Sequence, residues 1–281
     1  MSAPIARGRS SEVFADDPGH VVKLYFAGAD EVEVDREVRD SRTVHALGIT
    51  PVRCYGRVER DGRHGIVFDR IDGIPLTTVA ERNILRLPEV GRTLADEHVA
   101  VHAAHTTELQ DVRALALAQI DKPSFAALTI AERESLRAHL RSLPDGDAVL
   151  HLDFHPQNVF VLADRNVVID WQTAVSGDPA ADVALTCLLF REAELFPGTS
   201  APMRVVYAAV RRVLLRHYLA EYLRRSTVTP AQIERWTTAA RVLRLGLLDV
   251  ASERERMLAG IRRDLAARAS AQGPARSASA S

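Results

Sequence analysis

Apolar residues in the first quarter of the chain come in short runs broken by turn residues. Glu12 to Ala15 and His20 to Phe26 are rich in β-formers and flank the turn signal Asp16-Asp17-Pro18-Gly19. Val52 to Val58 and His64 to Ile71 flank a second turn, Arg60 to Arg63. Between the two hairpins, Val34, Val38, Val44 and Leu47 fall near helical spacing, which predicts a helix over Asp30 to Leu47 ended by Gly48. From Leu76 onward the period is helical. Leu87 to Ala104, Ala114 to Ile120 and Phe125 to Leu143 read as helices, the last with a Thr129/Glu132 capping box. Three short apolar runs interrupt them: Ala148 to Leu150, Val159 to Leu162 and Val167 to Ile169 read as buried strands. Helices resume over Val183 to Arg191, Met203 to Arg225, Pro230 to Leu248 and Val250 to Arg268. The expected class is α+β, with a β-rich part over 1–72 and a helical part over 73–268. Residues 269–281, rich in Ala, Ser and Gly, read as a disordered tail.

Composition narrows the setting more than the activity. With 281 residues the chain can bury a large core, and 47% hydrophobic and 26% charged residues are ordinary for a globular protein. A formal net charge of −1 gives no general pull toward nucleic acid or membrane. Cys54 and Cys187 lie far apart with no metal spacing, which points to reduced thiols and a cytoplasmic setting. No apolar run has the length of a signal peptide or a membrane span. Of 36 basic residues only Lys23 and Lys122 are lysine. A point charge on a flexible stem is not interchangeable with a planar fork, so a lysine kept in such a chain invites a reason.

Candidate chemistry concentrates in one stretch, His151-Leu152-Asp153-Phe154-His155-Pro156-Gln157-Asn158, followed by Asp170-Trp171. Asp153 and Asn158 are five apart and Asp170 follows twelve later, each where a short strand meets a loop. Asn158 and Asp170 offer hard oxygen ligands that suit Mg²⁺. Asp153 is then free to accept a proton from a hydroxyl, the division of labour in kinase phosphoryl transfer. The same residues admit other readings. His151, Asp153 and His155 together resemble a transition-metal set for hydrolysis. Asp153 and Asp170 also suit plain turn caps. His98, His102 and His105 fall at intervals of four and three on one helix, a spacing open to metal but ordinary for structural histidines.

The stretch from His151 to Asn158, with Ile169-Asp170-Trp171 and Gly177-Asp178-Pro179 through Asp182, resembles the aminoglycoside phosphotransferase and choline kinase group of small-molecule kinases. That resemblance spans about residues 5–190. It implies a two-lobed, protein-kinase-like fold, with a small β-rich lobe and a larger helical one. It also implies ATP and Mg²⁺ as cofactors and a small-molecule hydroxyl as acceptor, an antibiotic, sugar or amino alcohol. By resemblance, Lys23 reaches the α- and β-phosphates and Glu37 pairs with it. Ser10 lies in the turn over the phosphates. The Asp69 carbonyl and Ile71 N–H meet adenine, with Phe68 at the entrance. Asp153 is the base, Asn158 and Asp170 hold metal, and Asp182 orders the loops from behind. The phosphate turn holds one glycine, Gly8, and Leu152 and Phe154 replace the Gly and Leu common in relatives.

Lys23 and Glu37, placed in order before the central stretch, have no use in a metal hydrolase. A protein kinase is the nearer alternative, but here Asp170 is followed by Trp171-Gln172 and no Ala-Pro-Glu follows. A silent nucleotide-binding module leaves the intact acidic set without a purpose. From Arg191 to Ser281 there are 16 arginines against 8 acidic residues. That balance leans against a polycationic aminoglycoside as acceptor, because complementary charge steers encounter.

Overall fold

The computed structural model describes residues 3–193 and 200–272. A five-stranded antiparallel sheet forms first, from β1 (Ala6–Arg7), β2 (Ser11–Ala15), β3 (His20–Tyr25), β4 (Cys54–Arg60) and β5 (Arg63–Asp69), in the order β1-β2-β3-β5-β4. Asp61 and Gly62 both take positive φ, 51° and 70°, which is what the tight β4–β5 turn needs to match strand twist. Strand alternation gives the sheet two faces. Phe14, Val22 and Leu24 form one small core, and Tyr25, Cys54 and Ile66 form another beneath α1 (Glu31–Ala46). Asp30 caps α1 by accepting the Val32 N–H at 2.9 Å. The helix buries Val34 and Val44 as its apolar anchors, and it also buries Glu37, Asp40 and Ser41. A helix stripe that carries a carboxylate inward needs a cation opposite, and Lys23 supplies it.

The chain then passes through β6 (Ile74–Pro75) into the helical lobe. α2 (Leu76–Arg82), α3 (Leu87–His102), α4 (Val112–Gln119) and α5 (Ile130–Arg141) come first, the last with the expected capping box at Thr129 and Glu132. Four short strands follow: β7 (Ala148–Leu150), β8 (Val159–Val161), β9 (Asn166–Val168) and β10 (Val175–Gly177). β7 pairs with β10, and β8 lies between β6 and β9. α6 (Pro179–Glu192), α7 (Ala201–Arg225), α8 (Pro230–Leu248) and α9 (Ala251–Gln272) complete the fold. α6 is buried on nearly every side, against α7 and α8. One continuous core runs through this lobe. None of the helices in the described residues is long and apolar enough to cross a membrane.

Expected and observed elements differ mainly at their ends. α9 continues as helix through residues 269–272, where the sequence pattern placed the start of a disordered tail. Composition alone misled there, because Ala-rich sequence also favours helix. The rest of that tail, 273–281, lies outside the described residues. The helix expected from Phe125 begins at Ile130, preceded by a 3₁₀ turn over Pro123–Phe125.

One buried contact ties the lobes together, and one close crossing tightens the helical lobe. The Thr50 hydroxyl, just after α1, donates to the Val168 carbonyl at 2.9 Å in a buried contact. In the helical lobe, α3 and α7 approach closely at Gly91. A Cβ there would meet His217 Cβ at 2.7 Å and the Leu214 carbonyl oxygen at 3.0 Å. Gly91→Ala is therefore expected to overpack this crossing and lower stability by about 1–3 kcal/mol. Denaturant melts of the two proteins check this, and equal midpoints would show that the crossing yields freely.

Candidate active site

Lys23 stands on the face of β3 that looks toward α1. Its ammonium donates to Glu37 Oε1 at 2.8 Å, to Asp170 Oδ1 at 2.8 Å and to Gln172 Oε1 at 3.2 Å. All three of its donors are thereby used. Burial alone lowers its pKa, but Asp170 and Glu37 outweigh that and hold it above the ordinary lysine range. Burial pushes the Glu37 carboxyl up, with Lys23 opposing. The second oxygen of Glu37 accepts from the Tyr25 hydroxyl. So the sheet, α1 and the loop after β9 converge on one cation, with residues 147 positions apart in the chain.

The loop after β7 carries the second group. Leu152 takes a left-handed backbone, φ 60°, and Asp170 does the same at φ 65°. Such backbone costs energy for side chains with a Cβ and persists only where neighbours enforce it. The enforcing group is Asp182 on α6. Its carboxylate accepts the His151 N–H at 2.5 Å and the Leu152 N–H at 3.0 Å. Behind it, His98 Nε2 lies 3.1 Å and His102 Nε2 3.4 Å from the same Asp182 oxygen. The Nδ1 atom of each ring meets a phenol on α7, Tyr218 and Tyr222 respectively, both at 2.7 Å. These three residues form the one His/Cys/Asp/Glu cluster of metal-binding size among the described residues. Here, though, the carboxylate oxygens already serve the loop and the outer ring nitrogens serve phenols. His105, the third residue of that spacing, instead pairs with Asp147 at 2.8 Å on the surface.

Asp153 follows this turn with its side chain a third exposed, facing the cleft. Burial raises its pKa, but His155, 3.4 Å away, overrides that, and His151 and Arg244 add to the effect, bringing it down to about 2. Asp153 is ionised at neutral pH. The Asn158 amide donates to the Asp153 carbonyl at 3.0 Å. That bond occupies the Nδ2 end of Asn158 and leaves Oδ1 as the acceptor end of the amide. The Ile169 N–H donates to the Asn158 carbonyl at 3.0 Å, so the Asn158 and Asp170 segments are tied together.

His151 is fully buried and both its ring nitrogens face backbone. Nε2 meets the Ile169 carbonyl at 2.9 Å, and Nδ1 accepts the Asp153 N–H at 3.2 Å. The three-ligand set of His151, Asp153 and His155 is therefore not assembled. His151 joins the two loops instead.

The remaining candidates lie along the cleft wall. Ser10 is exposed and lines a cavity of about 280 Å³ with Arg9, Tyr25, Gly28, Glu33 and Gln172. Asp69 ends β5, and its carboxylate accepts the Arg53 N–H at 2.8 Å and the Tyr55 hydroxyl at 2.9 Å. Ile71 follows, half-buried, in the connection to β6. Sequence reasoning missed Tyr25 and Gln172, although each stands two residues beyond a residue it did single out. It also missed the phenols of α7.

The buried His98 gives a pH dependence of defined sign. Burial drives its pKa down to about 3, the His102 ring adds to this, and Asp182 opposes. An unfolded histidine titrates near ~6.5. Above that pH neither state binds the proton. Below it the unfolded chain does and the folded one does not, so stability falls as pH drops from about 6.5 toward 3. His139, buried and lowered to about 4, acts in the same sense. Thermal melts should therefore decline below about pH 6.5, with a shallower decline in His98→Gln. Identical slopes in both proteins would remove His98 from the acid response.

A profile of the phosphotransferase enzyme family matches residues 3–228. No curated protein sequence matches significantly. Among solved structures, aminoglycoside phosphotransferase APH(4)-Ia superposes with a TM-score of 0.62 at 17% identity, covering 92% of each chain. Choline kinase LicA from Streptococcus pneumoniae gives 0.57 at 16% identity, covering 93% of this chain and 91% of that one. The GDP and kanamycin complex of an APH(2″) enzyme gives 0.52 at 12%, covering 94% and 92%. At such identities these likenesses establish the two-lobed kinase-like fold. The family match covers most of the chain, the acidic loops included, and this protein belongs to the phosphotransferase enzyme family.

Proposed function

We propose that this protein is an ATP- and Mg²⁺-dependent kinase that moves the γ-phosphoryl group to a hydroxyl of a small molecule. The observation that carries this reading is the meeting of Lys23 with Asp170 at 2.8 Å across the two lobes, beside an ionised Asp153. In this reading residues 1–72 bind nucleotide and 73–268 carry catalysis and the acceptor. Solved structures of similar fold include a ternary complex of APH(4)-Ia with AMP-PNP and hygromycin B, which supports nucleotide use. The two buried, free cysteines fit a cytoplasmic setting.

Asn158 Oδ1 and Asp170 would hold Mg²⁺, a donor set of hard oxygens suited to that ion. Bound there, the ion neutralises charge on the β- and γ-phosphates. Lys23 would turn its donors from Asp170 and Gln172 to the α- and β-phosphates, while Glu37 keeps it in place. Ser10 and the turn around it close over the phosphates. The Asp69 carbonyl and Ile71 N–H take the adenine edge. Asp153 orients the acceptor hydroxyl and takes its proton as the new O–P bond forms and the bond to the departing ADP breaks. A carboxylate with a pKa of about 2 is a weak base. It suits a loose transfer in which the proton leaves late.

Arginines of the acceptor-side lobe are partly neutralised within it, as in Arg244 with Glu253 at 2.8 Å and Arg241 with Asp264 at 2.8 Å. The excess of arginine over this region favours a neutral, weakly cationic or anionic acceptor.

Asp153→Asn should lower kcat by ~10²–10⁴-fold while ATP binding persists. Near-normal turnover in the folded variant would remove Asp153 from the chemistry. For the acceptor, an ADP-release screen over antibiotics, sugars and amino alcohols should show little turnover of kanamycin-type molecules. A kcat/KM of ~10⁴ M⁻¹s⁻¹ or more for one of them would overturn the charge inference.

A further inference from the structure

Tyr25 follows Lys23 by two residues on β3, so both side chains leave the same face of the strand. The ring is buried against Val34, Cys54 and Ile66 under α1. The Lys23 ammonium lies 5.6 Å from the ring centroid. The hydroxyl donates to Glu37 on the oxygen that Lys23 does not use. Glu37 itself is 1% exposed, so water does not reach that oxygen in bulk. Burial pushes the Tyr25 phenol above its ordinary pKa, so it stays protonated and remains a donor.

We propose that Tyr25 is a positioning residue that locks Glu37, and through it Lys23, so that the phosphate-binding cation is set before any nucleotide arrives. A carboxylate held at one oxygen only can rotate about its last bond. Held at both, by an ammonium and a phenol from one strand, it has a single orientation. α1 is then pinned to β3 by two adjacent contacts at Glu37 and cannot swing outward without leaving a buried carboxylate unpaired. The reading deepens the kinase assignment and rests on it.

Tyr25→Phe tests it, because the ring and its packing stay and only the hydroxyl goes. Mg-ATP binding is measured by calorimetry, and steady-state kinetics follow. The expected result is a rise of about tenfold in Kd and KM for ATP, the size of one lost hydrogen bond to a charged group. KM for the acceptor should stay near the parent's, while the melting temperature falls by a few degrees as one buried Glu37 oxygen loses its donor. The same change in a Glu37→Gln background should add less than about twofold, because the group it acts through is altered. Unchanged ATP affinity in Tyr25→Phe would overturn the inference, as would an equal loss in both backgrounds. Failure of Tyr25→Phe to fold would assign the hydroxyl to stability and overturn it too. If the parent binds no Mg-ATP, the kinase reading itself falls, and this one with it.

Discussion

One buried ammonium governs the geometry of the cleft. Bringing the Lys23 ammonium and the Glu37 carboxylate out of water costs several kcal/mol per ion, and the cost is offset only when each charge has a partner in good geometry. Lys23 meets Glu37 and Asp170 at 2.8 Å each. Removing Glu37 from this buried pair is of the kind that typically costs about 3–5 kcal/mol, more than many single packing contacts supply, whereas the half-exposed Asp170 is screened by water. The sheet, α1 and the loop after β9 are thus constrained jointly. The Thr50 contact to the Val168 carbonyl carries the same constraint to the far end of α1.

A second polar centre works from inside the helical lobe. A left-handed Leu152 costs on the order of 1–3 kcal/mol. Two backbone N–H groups donating to the ionised Asp182 return roughly 1.5–3 kcal/mol each. The clamp therefore outweighs the strain, and the turn can hold a leucine where relatives commonly have glycine. Two histidines stand 3.1 and 3.4 Å from the Asp182 carboxylate and two tyrosines hold the far side of their rings, so a fully buried carboxylate is surrounded by polar partners inside the core.

The two centres differ in how far the sequence disclosed them. Lys23 stood out by its rarity, Glu37 by the family resemblance, and Asp153, Asn158 and Asp170 by their spacing within 18 residues. Those signals are local, and strand alternation or helix period translates them into a face. The His98–Tyr218 and His102–Tyr222 bonds each join residues 120 positions apart, and no periodicity of one helix announces its partner on another. His151 admitted a second, metal-binding reading for a related reason: its type and spacing fit a metal set, and only the backbone around it shows both ring nitrogens occupied. Tyr25 was legible in principle, since it alternates with Lys23, but an aromatic residue in a strand ordinarily reads as core. The adenine contacts proposed for the backbone of Asp69 and Ile71 would leave no trace in side-chain identity.

The anchoring of α7 has a mechanical side. Its later half is tied through Tyr218 and Tyr222 to the imidazoles behind the Asp182 clamp. Its earlier half projects into solvent, with Met203 46% and Val205 71% exposed. From Met203 to Tyr218 the rod extends about 22 Å at ~1.5 Å per residue. It is a cantilever, fixed at the root and loose at the tip. A lateral push on the tip becomes a torque at the root, where α7 packs on α3 and two phenol–imidazole contacts join the helices. The turn that carries Asp153 sits on the other side of those contacts, held by Asp182.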